Sequence, residues 1–519
     1  MRAIAAKSRS VKPYLLAFVT GLVAACGFEP LGLWPLTLVA FALLLRGIGS
    51  APRMRSALAQ GWWFGIGFFT LGLNWIATAF TFQANMPAWL GWVAVVLLAF
   101  YLAVYPAMAA GLAWRHGRPG RLRLVMVLAA GWIVTEYLRA TMFTGFAWNP
   151  IGVTLLPTFV SRDAVLVGTY GLSGLTVLLA GVILLVWERH WKSAAALAVP
   201  VLGAAGLVAI AAGPPPAATG TPVRIVQPNI GQEEKWHEGY DEEALALLRR
   251  LSGPPARRAR LLLWPEAAIT RPLENQLVYR YYKRETEATL NEVGLTLAPG
   301  DLLLSGGVTW RSTSGLDVTS GTNSIFAIAH GGRILGRYDK AHLVPYGEYL
   351  PMRPILSALG LSRLAPGDID FDPGPGPRSF DLPLVGRVGF QLCYEIVFSG
   401  EVIDPKARPN FLFNPSNDAW FGRWGPPQHL AQARMRALEE GMPVLRSTPT
   451  GISAVVDADG RLLASLPWRK AGVIDTTVPS PRPPTLFARF GNALPLLFAL
   501  LLALAALLPE RIAARRKAG

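Results

Sequence analysis

The sequence predicts a polytopic α-helical membrane bundle of about eight transmembrane helices that carries one layered α+β domain. Hydrophobic residues make up 52% of the chain and the mean hydropathy is +0.35, whereas a soluble protein of 519 residues would be more polar. Long uncharged runs alternate with short loops that are rich in Arg and Lys. Between 220 and 480, strand-like runs alternate with amphipathic helical stretches, which is typical of a folded domain outside the membrane. The predicted strands are 223–226, 261–264, 302–308, 324–329, 388–392, 410–413 and 452–456, and the helical stretches include 242–251 and 430–440.

The uncharged runs are long enough to cross the hydrocarbon core, which takes roughly 20 apolar residues in a helix. The clearest case is 56–114, which contains no charged side chain and has room for two spans separated by a break at 81–87. The other predicted spans are 13–28, a second run that ends at Leu45, 124–143, 164–187, 193–212 and 490–509.

Basic residues orient these spans through the positive-inside rule. The N-terminus, the 46–55, 115–123 and 188–192 loops and the C-terminus are rich in Arg and Lys and fall on one side of the membrane. We therefore predict a bacterial inner-membrane protein with both termini in the cytoplasm. The predicted domains are a transmembrane bundle at 1–212 with about seven helices, a periplasmic domain at 220–480, and a final helix with a basic tail at 490–519.

The net charge of +16 does not indicate a nucleic-acid partner. Many of the Arg and Lys residues lie in short loops beside apolar runs, where membrane topology accounts for them. The sequence has no zinc-finger spacing, no RNP-type motif and no phosphate-binding GxxxxGK[ST] loop. We predict a membrane-embedded protein that binds no nucleic acid.

Two features of the predicted spans have alternative interpretations. Glu136 and Arg139 are ionisable residues within a span, which favours a functional role, but their spacing also fits a local i, i+3 pair, and we favour the pair. Val23-Ala24-Ala25-Cys26 resembles a lipoprotein cleavage box, although runs of small residues are common in membrane helices. Cleavage would leave the other spans oriented as before, so topology does not decide whether Cys26 is processed.

Three short motifs in the 220–480 segment carry chemically useful side chains. They are Leu263-Trp264-Pro265-Glu266, the stretch from Tyr338 to Glu348 that contains Lys340, and Gly389-Phe390-Gln391-Leu392-Cys393-Tyr394-Glu395. Each motif alone is weak evidence, because a strand-end Glu or a loop Lys is usually solvated and a lone Cys is usually a small buried hydrophobe. The sequence separations between the three residues are 340 − 266 = 74 and 393 − 340 = 53 residues.

Together, in the order Glu, Lys, Cys, these motifs resemble the nitrilase (carbon–nitrogen hydrolase) superfamily. The resemblance continues through Asn414–Phe421 and Arg446–Ser453. A domain of this kind inserted before the last of about eight spans is similar to the apolipoprotein N-acyltransferase family, as are Gln227-Pro228-Asn229-Ile230 and the nearby Lys235-Trp236. The resemblance covers essentially the whole chain and implies an αββα sandwich for the α+β domain.

The resemblance also implies roles for individual residues. Cys393 would be the nucleophile, Glu266 the general base and proton acceptor, Lys340 the oxyanion stabiliser and Glu348 a supporting carboxylate. The chemistry agrees, because a thiolate attacks an ester far better than a thiol and therefore needs a nearby proton acceptor. Four further residues are expected to bind substrate or shape the pocket: Trp236, Tyr394, Glu395 and Trp420. For Trp420, a place in the core is almost as good an interpretation.

The expected reaction needs neither a metal nor a cofactor. His342 and His429 lack a metal-like set of partners, so we assign them no catalytic role. No ATP is expected outside the cytoplasm, so the acyl donor must arrive already activated. The resemblance implies a phosphatidylethanolamine-type phospholipid as donor and the α-amino group of an S-diacylglyceryl apolipoprotein as acceptor, with ping-pong kinetics through a thioester.

Two other functions remain open at this point. A membrane-tethered amidase of the nitrilase type would use the same three residues with water as the acceptor. A transporter or non-catalytic scaffold would form no covalent intermediate. We further predict that 351–375, which is rich in Pro, Gly and Leu, forms a mobile arm over the site that controls lipid access.

Overall fold

The computed structural model of this protein describes residues 11–82, 87–118, 120–232, 234, 239–358 and 369–518, and the side chains up to 507. Its first part is helical throughout. The helices are α1 (Lys12–Ala25), α2 (Trp34–Ser50), α3 (Met54–Gly72), α4 (Ile76–Ala79), α5 (Leu90–Leu102), α6 (Val104–Gly117), α7 (Arg121–Thr141), α8 (Ala164–Trp187) and α9 (Trp191–Ala211). Short 3₁₀ turns at Phe80–Phe82, Ile151–Leu155 and Phe159–Asp163 connect some of them.

Within the described ranges, four helical segments are long and apolar enough to cross a membrane: Leu90–Gly117, Arg121–Thr141, Phe159–Trp187 and Trp191–Ala211. A fifth candidate is the pair Met54–Gly72 and Ile76–Phe82, whose axes differ by 51°. Lys12–Ala25, Trp34–Ser50 and Ala493–Leu507 are apolar but shorter. The described residues therefore contain four or five candidate spans, and the total of about eight stays a prediction.

The long apolar run after Arg55 contains a bend that the sequence does not predict. Helix α3 ends at Gly72, ahead of the predicted break at 81–87, and a second helical segment runs from Ile76 to Phe82. At the predicted break, Phe82 ends this bent pair and Leu90 begins the next candidate span, while 83–86 lie outside the described residues. The Asn149 side chain donates a 3.1 Å hydrogen bond to the Gly72 carbonyl, and Asn74 donates one of 2.8 Å to the Leu71 carbonyl. These side chains satisfy carbonyl groups that the next helical turn would otherwise bind, which permits the helix to end there.

Glu136 and Arg139 form the local ion pair that their spacing predicts, with 3.8 Å between Arg139 Nη2 and Glu136 Oε1. Each of them also binds backbone of the following loop. Arg139 Nη1 donates to the Trp148 carbonyl at 2.7 Å, and the Ile151 N–H donates to Glu136 Oε1 at 3.0 Å. The pair thus fixes the 148–151 segment, which faces the α+β domain.

The α+β domain follows α9 and contains all the strands in the described part of the chain. Its helices are α10 (Tyr240–Ser252), α11 (Arg280–Gly294), α12 (Arg353–Ala358) and α13 (Gly425–Glu440). Its strands are β1 (Pro222–Gln227), β2 (Leu261–Leu263), β3 (Pro272–Asn275), β4 (Leu302–Arg311), β5 (Ser320–Ala329), β6 (Arg333–Asp339), β7 (Ser379–Leu382), β8 (Gly386–Phe390), β9 (Phe411–Pro415), β10 (Val444–Ser447), β11 (Ala454–Val456), β12 (Leu462–Ser465) and β13 (Gly472–Thr477). Helices α14 (Leu486–Phe490) and α15 (Ala493–Ala518) then return the chain to the helical bundle.

The strands form two mixed sheets that pack face to face. In the described part of the chain, one sheet has the order β13-β1-β2-β4-β5-β6, with β3 beside β4, and the other has the order β12-β11-β10-β9-β8-β7. Apolar side chains of both sheets, such as Ile225, Leu263, Phe390 and Phe413, share one buried core. Helices α10 and α11 cover the outer face of the first sheet, and α13 covers the second sheet on the side of the bundle. The predicted layered α+β domain is confirmed.

The α+β domain contacts the bundle at the loop that follows α7 and at the kink of α8. Trp148 Nε1 donates to Gln428 Oε1 at 2.8 Å, and Asn149 Nδ2 donates to the same oxygen at 3.1 Å. Arg436 and Glu439 of α13 both bind Thr169 at the kink of α8. These buried contacts fix one face of the second sheet against the helices.

Candidate active site

Cys393 begins a single 3₁₀ turn, Cys393–Val397, shortly after strand β8 ends. Its φ is +54°, which is the left-handed region that a residue with a side chain seldom adopts. Such a conformation costs about 1–3 kcal/mol and persists only where surrounding contacts impose it. The thiol is buried, with 5% of the residue exposed. A sharp turn after a strand therefore presents this sulfur atom inside the domain.

Glu266 lies three residues beyond β2 and its carboxylate is also buried. The neighbouring strand β4 passes directly beneath it, where a side chain at Gly306 would place its Cβ 2.6 Å from the Glu266 Cα. Only glycine permits that approach of the two backbones. The Glu266 charge raises the pKa of the Cys393 thiol, so the two groups are close enough to interact. Strands from two different sheets thus bring a carboxylate to the sulfur atom.

Lys340 follows β6 and is 1% exposed. Its Nζ lies 3.0 Å and 2.9 Å from the two carboxylate oxygens of Glu348 and 4.0 Å from Glu266 Oε1. The Val344 N–H donates to Glu348 Oε2 at 2.9 Å and holds that carboxylate within the loop. The structure therefore brings Glu266, Lys340, Glu348 and Cys393 together in one buried cluster.

Asn323 belongs to this cluster, and sequence reasoning missed it. Its Nδ2 donates to Glu266 Oε1 and to Glu348 Oε1, both at 2.8 Å, while its backbone carbonyl accepts from the Lys340 N–H at 2.9 Å. The side-chain amide of Asn323 therefore bridges the two carboxylates, and its backbone carbonyl binds the Lys340 N–H. The sequence signal that could have identified Asn323 is the polar run Thr322-Asn323-Ser324 within strand β5. These three residues are buried in the structure, and buried polar groups need specific hydrogen-bond partners.

Burial and mutual charge set the protonation states of the cluster. Burial, followed by the Glu348 charge, raises the pKa of Glu266, while Lys340 opposes this rise. Burial, followed by the Glu266 charge, raises the pKa of the Cys393 thiol well above its usual value. Burial lowers the pKa of Lys340, but Glu348 and Glu266 outweigh it and raise that pKa overall. At neutral pH the cluster therefore holds an ammonium group on Lys340 and a protonated thiol on Cys393.

Glu395 connects the lysine loop to the Cys393 turn. Its carboxylate accepts hydrogen bonds from four groups of the chain: the Tyr338 hydroxyl at 2.9 and 3.0 Å, the Ala341 N–H at 2.7 Å, the His342 N–H at 3.0 Å and the Leu392 N–H at 2.7 Å. Burial raises the pKa of this carboxyl group, and the backbone donors oppose that rise. Because donors come from both segments, Glu395 fixes the distance between Lys340 and Cys393.

Two of the three other predicted pocket residues, Tyr394 and Trp420, are described in the structure. Tyr394 is buried at the bundle, where its ring is parallel to that of Trp148 with centroids 6.3 Å apart. Trp420 is half-buried and packs edge-on against Phe82 at 5.7 Å. Trp236 lies outside the described residues. Across the described ranges, no group of three or more His, Cys, Asp and Glu residues is placed to hold a metal ion.

The predicted arm at 351–375 is only partly described, since 359–368 lie outside the described residues. Its described part includes helix α12, and the exposed apolar side chains Met352 and Ile355 project from it. The same loop also carries the exposed Tyr346, two residues before Glu348. The exposed apolar surface therefore begins beside the buried cluster.

An open, mainly apolar cavity of about 710 Å³ lies at the bend after α3. Its walls include Leu71, Asn74, Trp89, Trp92 and Trp424. The 3₁₀ turn Asp418–Phe421 packs against α4 and leads from this cavity towards the Cys393 region. The bent helix thus opens a groove on the bundle next to the α+β domain.

Comparisons with known proteins cover both parts of the chain. Residues 20–182 match the family described as apolipoprotein N-acyltransferase N-terminal domain, and residues 223–482 match carbon–nitrogen hydrolase. The apolipoprotein N-acyltransferase of Rhodopseudomonas palustris is 35% identical over 93% of this chain and 92% of its own length. That of Caulobacter vibrioides is 37% identical over 92% and 91%, and that of Bradyrhizobium diazoefficiens is 35% identical over 96% and 95%.

These relatives are collinear with the chain from the bundle through the α+β domain, so the likeness includes the combination of the two parts and not one part alone. The resemblance inferred from the Glu, Lys and Cys motifs is thereby confirmed. The chain belongs to the apolipoprotein N-acyltransferase family, as an acyltransferase of the carbon–nitrogen hydrolase superfamily.

Proposed function

We propose that this protein moves a fatty acyl chain from a phospholipid, through a thioester on Cys393, to the α-amino group of the S-diacylglyceryl-cysteine that begins an apolipoprotein. The observation that carries the proposal is the buried cluster in which the Glu266 charge acts on the Cys393 thiol and Lys340 Nζ lies 4.0 Å from Glu266 Oε1. Membership of the family supplies the substrate class.

In the first half-reaction, Glu266 takes the thiol proton as the sulfur atom attacks the ester carbonyl of the donor. The carbonyl oxygen becomes an oxyanion, which the Lys340 ammonium group stabilises. Collapse of this intermediate breaks the ester C–O bond, and Glu266 returns the proton to the departing alkoxide. The products are a lysophospholipid and a thioester on Cys393, so the activation of the ester is retained.

In the second half-reaction, the acceptor amine attacks the thioester carbonyl and Glu266 takes one amine proton. The C–S bond breaks, the amide forms, and the proton passes to the departing sulfur atom. Lys340 stabilises the second oxyanion in the same position. Glu348 and Asn323 hold the lysine and the general base at the separation that both steps need. Tyr394, Glu395, Trp236 and Trp420 are proposed to complete the pocket.

The membrane placement of the site fits two lipid-anchored substrates. We propose about eight spans, with 1–212 and 490–519 in the membrane and 220–480 in the periplasm of a bacterial inner membrane. The three shorter apolar helices would complete the set of spans, and both termini would lie in the cytoplasm. The apolar groove at the bend after α3 supports lateral access, since phosphatidylethanolamine-type donors and diacylglyceryl acceptors both keep their chains in the bilayer.

The full reaction can be tested with the full-length protein in phospholipid nanodiscs. We supply phosphatidylethanolamine with an isotopically labelled acyl chain and a synthetic peptide that begins with S-diacylglyceryl-cysteine. The peptide is expected to gain the mass of one labelled acyl chain while lysophospholipid appears in equal amount. The measurement is mass spectrometry of both products.

The matched control is the same peptide with an acetylated N-terminus, which should gain nothing because its α-amino group is blocked. Release of labelled fatty acid without peptide modification, together with ammonia from a small primary amide, would instead support the membrane-tethered amidase. Absence of acyl transfer from the phospholipid, together with absence of ammonia release from the amide, would support a non-catalytic membrane protein.

The pH dependence of thioester formation should show the raised pKa of Glu266. This carboxyl group accepts the thiol proton only when it is ionised, so the rate falls about tenfold per pH unit below its pKa. Because burial raises that pKa, the loss begins at a higher pH than the ordinary glutamate value of about 4.3 would give. The check is the adduct rate between about pH 4 and about pH 9. An acid limb at or below the ordinary value, or one that persists in Glu266→Gln, would contradict the assignment.

A further inference from the structure

His429 contacts the backbone of the turn that contains Cys393. It lies on α13 and is fully buried, and its Nε2 is 3.1 Å from the Cys393 carbonyl oxygen. A carbonyl oxygen can only accept a hydrogen bond, so Nε2 carries the proton in either charge state of the ring. His429 therefore donates to the carbonyl group of the residue proposed to hold the acyl chain.

A buried ion pair fixes the orientation of this imidazole. His429 Nδ1 lies 2.9 Å from Asp418 Oδ1, and Arg446 Nη2 binds both oxygens of Asp418 at 2.8 and 2.7 Å. Arg446 is held in turn by Asn414 and, at 2.9 Å, by the Ser416 hydroxyl. All these side chains are buried, with no solvent to compete for their hydrogen bonds. The ring can rotate only by breaking this network.

The hydrogen bond to the Cys393 carbonyl also fixes the orientation of the peptide group between Cys393 and Tyr394. The peptide bond between Cys393 and Tyr394 is trans, so its N–H points away from its C=O. A carbonyl directed at His429 therefore directs the Tyr394 N–H to the opposite side. The same contact also stabilises the left-handed φ of +54° at Cys393, which an unsupported residue would leave.

We propose that His429 is a positioning residue for the acyl transfer, and that it holds the Cys393 carbonyl so that the sulfur atom keeps its attacking position beside Glu266 and Lys340. This inference rests on the proposed thioester at Cys393. Asn414 Nδ2 reaches the same carbonyl at 3.4 Å, a longer contact, so His429 is the principal donor. Asp418 and Arg446 act through His429 by fixing its ring.

The alternative is that the His429 ring contributes only packing and has no role in the reaction. Its ring packs against Trp148, with centroids 5.1 Å apart, and against Phe421 at 5.8 Å. His429→Phe retains an aromatic ring for both contacts and removes the donor. His429→Gln loses the ring but keeps an amide N–H at about the reach of Nε2. The two variants therefore separate packing from hydrogen bonding.

The experiment measures the rate of acyl-adduct formation on the full-length protein in nanodiscs that contain phosphatidylethanolamine, as a function of donor concentration. We expect His429→Phe to lower the maximal rate about a hundredfold, as misplacement of a reacting group does, with the half-saturating donor concentration unchanged. His429→Gln should restore most of the rate, while His429→Asn, whose amide falls one carbon short, should not. This Gln and Asn pair also serves if His429→Phe does not fold.

A matched control is His330→Phe, because His330 Nδ1 contacts the Leu297 carbonyl at 2.6 Å from the turn between β5 and β6, at the opposite end of β6 from Lys340. That variant should form the adduct at the wild-type rate. A wild-type rate in His429→Phe, or equal losses in His429→Gln and His429→Asn, would overturn the positioning role. Failure of the wild-type protein to form any adduct would instead overturn the proposed function.

Discussion

Cys393→Ala should abolish both the acyl adduct and the transfer of acyl chains to the acceptor peptide. No other atom in the cluster can hold the acyl group as a thioester, so the ping-pong route loses its intermediate. We expect the variant to fold, because it deletes one buried sulfur atom and leaves the backbone and its contacts in place. The measurement is intact-protein mass spectrometry after exposure to phosphatidylethanolamine, together with the yield of acylated peptide.

Cys26→Ala is the matched control, because Cys26 is the other cysteine of the chain. Its Sγ lies 3.5 Å from the Leu22 carbonyl at the end of α1, within the bundle. The control should retain the adduct and full transfer. Cys393→Ser should fold but lose most turnover, since an alkoxide is harder to form than a thiolate. An adduct that persists in Cys393→Ala would remove the central residue of the proposal.

Lys340→Met should have the second-largest effect, a loss of at least about a thousandfold in the rate of adduct formation. Loss of one oxyanion donor typically costs about 10²–10³ in rate. The substitution also removes the positive charge that opposes the rise in the pKa of Glu266, so that pKa should rise further. The carboxylate is then protonated at a higher pH, and the acid limb of the pH profile should move upwards.

The same substitution should destabilise the domain. Lys340 is 1% exposed, and its ammonium group lies against the buried Glu348 carboxylate. Breaking a buried pair by removing one partner typically costs about 3–5 kcal/mol. Thermal unfolding in detergent should therefore be recorded beside the kinetics. Lys283→Met, an exposed lysine on α11, is the matched control and should change neither quantity. An unshifted acid limb in folded Lys340→Met would contradict the proposed contact with Glu266.

Much of the secondary structure followed from simple sequence patterns. The run at 164–187 is helix α8, and the run at 193–212 is α9 with a shift of a residue or two. The predicted strands at 223–226, 261–264, 302–308, 324–329, 388–392, 410–413 and 452–456 all fall on observed strands. Helical stretches at 242–251 and 430–440 lie within α10 and α13. These elements have apolar runs or amphipathic periodicity, which local sequence determines.

Other elements could not be predicted from local patterns. Strand β6 (Arg333–Asp339) carries several charged residues, and its pairing with β5 gives it its conformation. The end of α3 at Gly72 depends on Asn149, which lies 77 positions later in the chain. Strand β5 begins at Ser320, four residues before the predicted start, because polar side chains there meet partners across the sheet. In each case a distant residue supplies the missing interaction.

The residue types of the candidate site were predicted by three short motifs, whereas its working geometry was not. Glu266, Lys340 and Cys393 could be named because their motifs, in that order, resemble the nitrilase superfamily. Nothing in the chain order shows that Asn323 bridges two carboxylates, that Glu395 binds donors of both loops, or that His429 holds the Cys393 carbonyl. The contacts between different segments join residues that lie 25 to 57 positions apart.

The sequence by itself therefore determined the membrane character, the layered domain and the identities of a sulfur atom, a carboxylate and an amine that could act together. Apolar run lengths and short motifs encode these features locally. Only the tertiary structure decided which side chains surround that sulfur atom, which way its backbone is held and where the bundle opens beside it. Such features arise from packing two sheets and a bent helix against one another, and the energy of that packing belongs to pairs of residues distant in sequence.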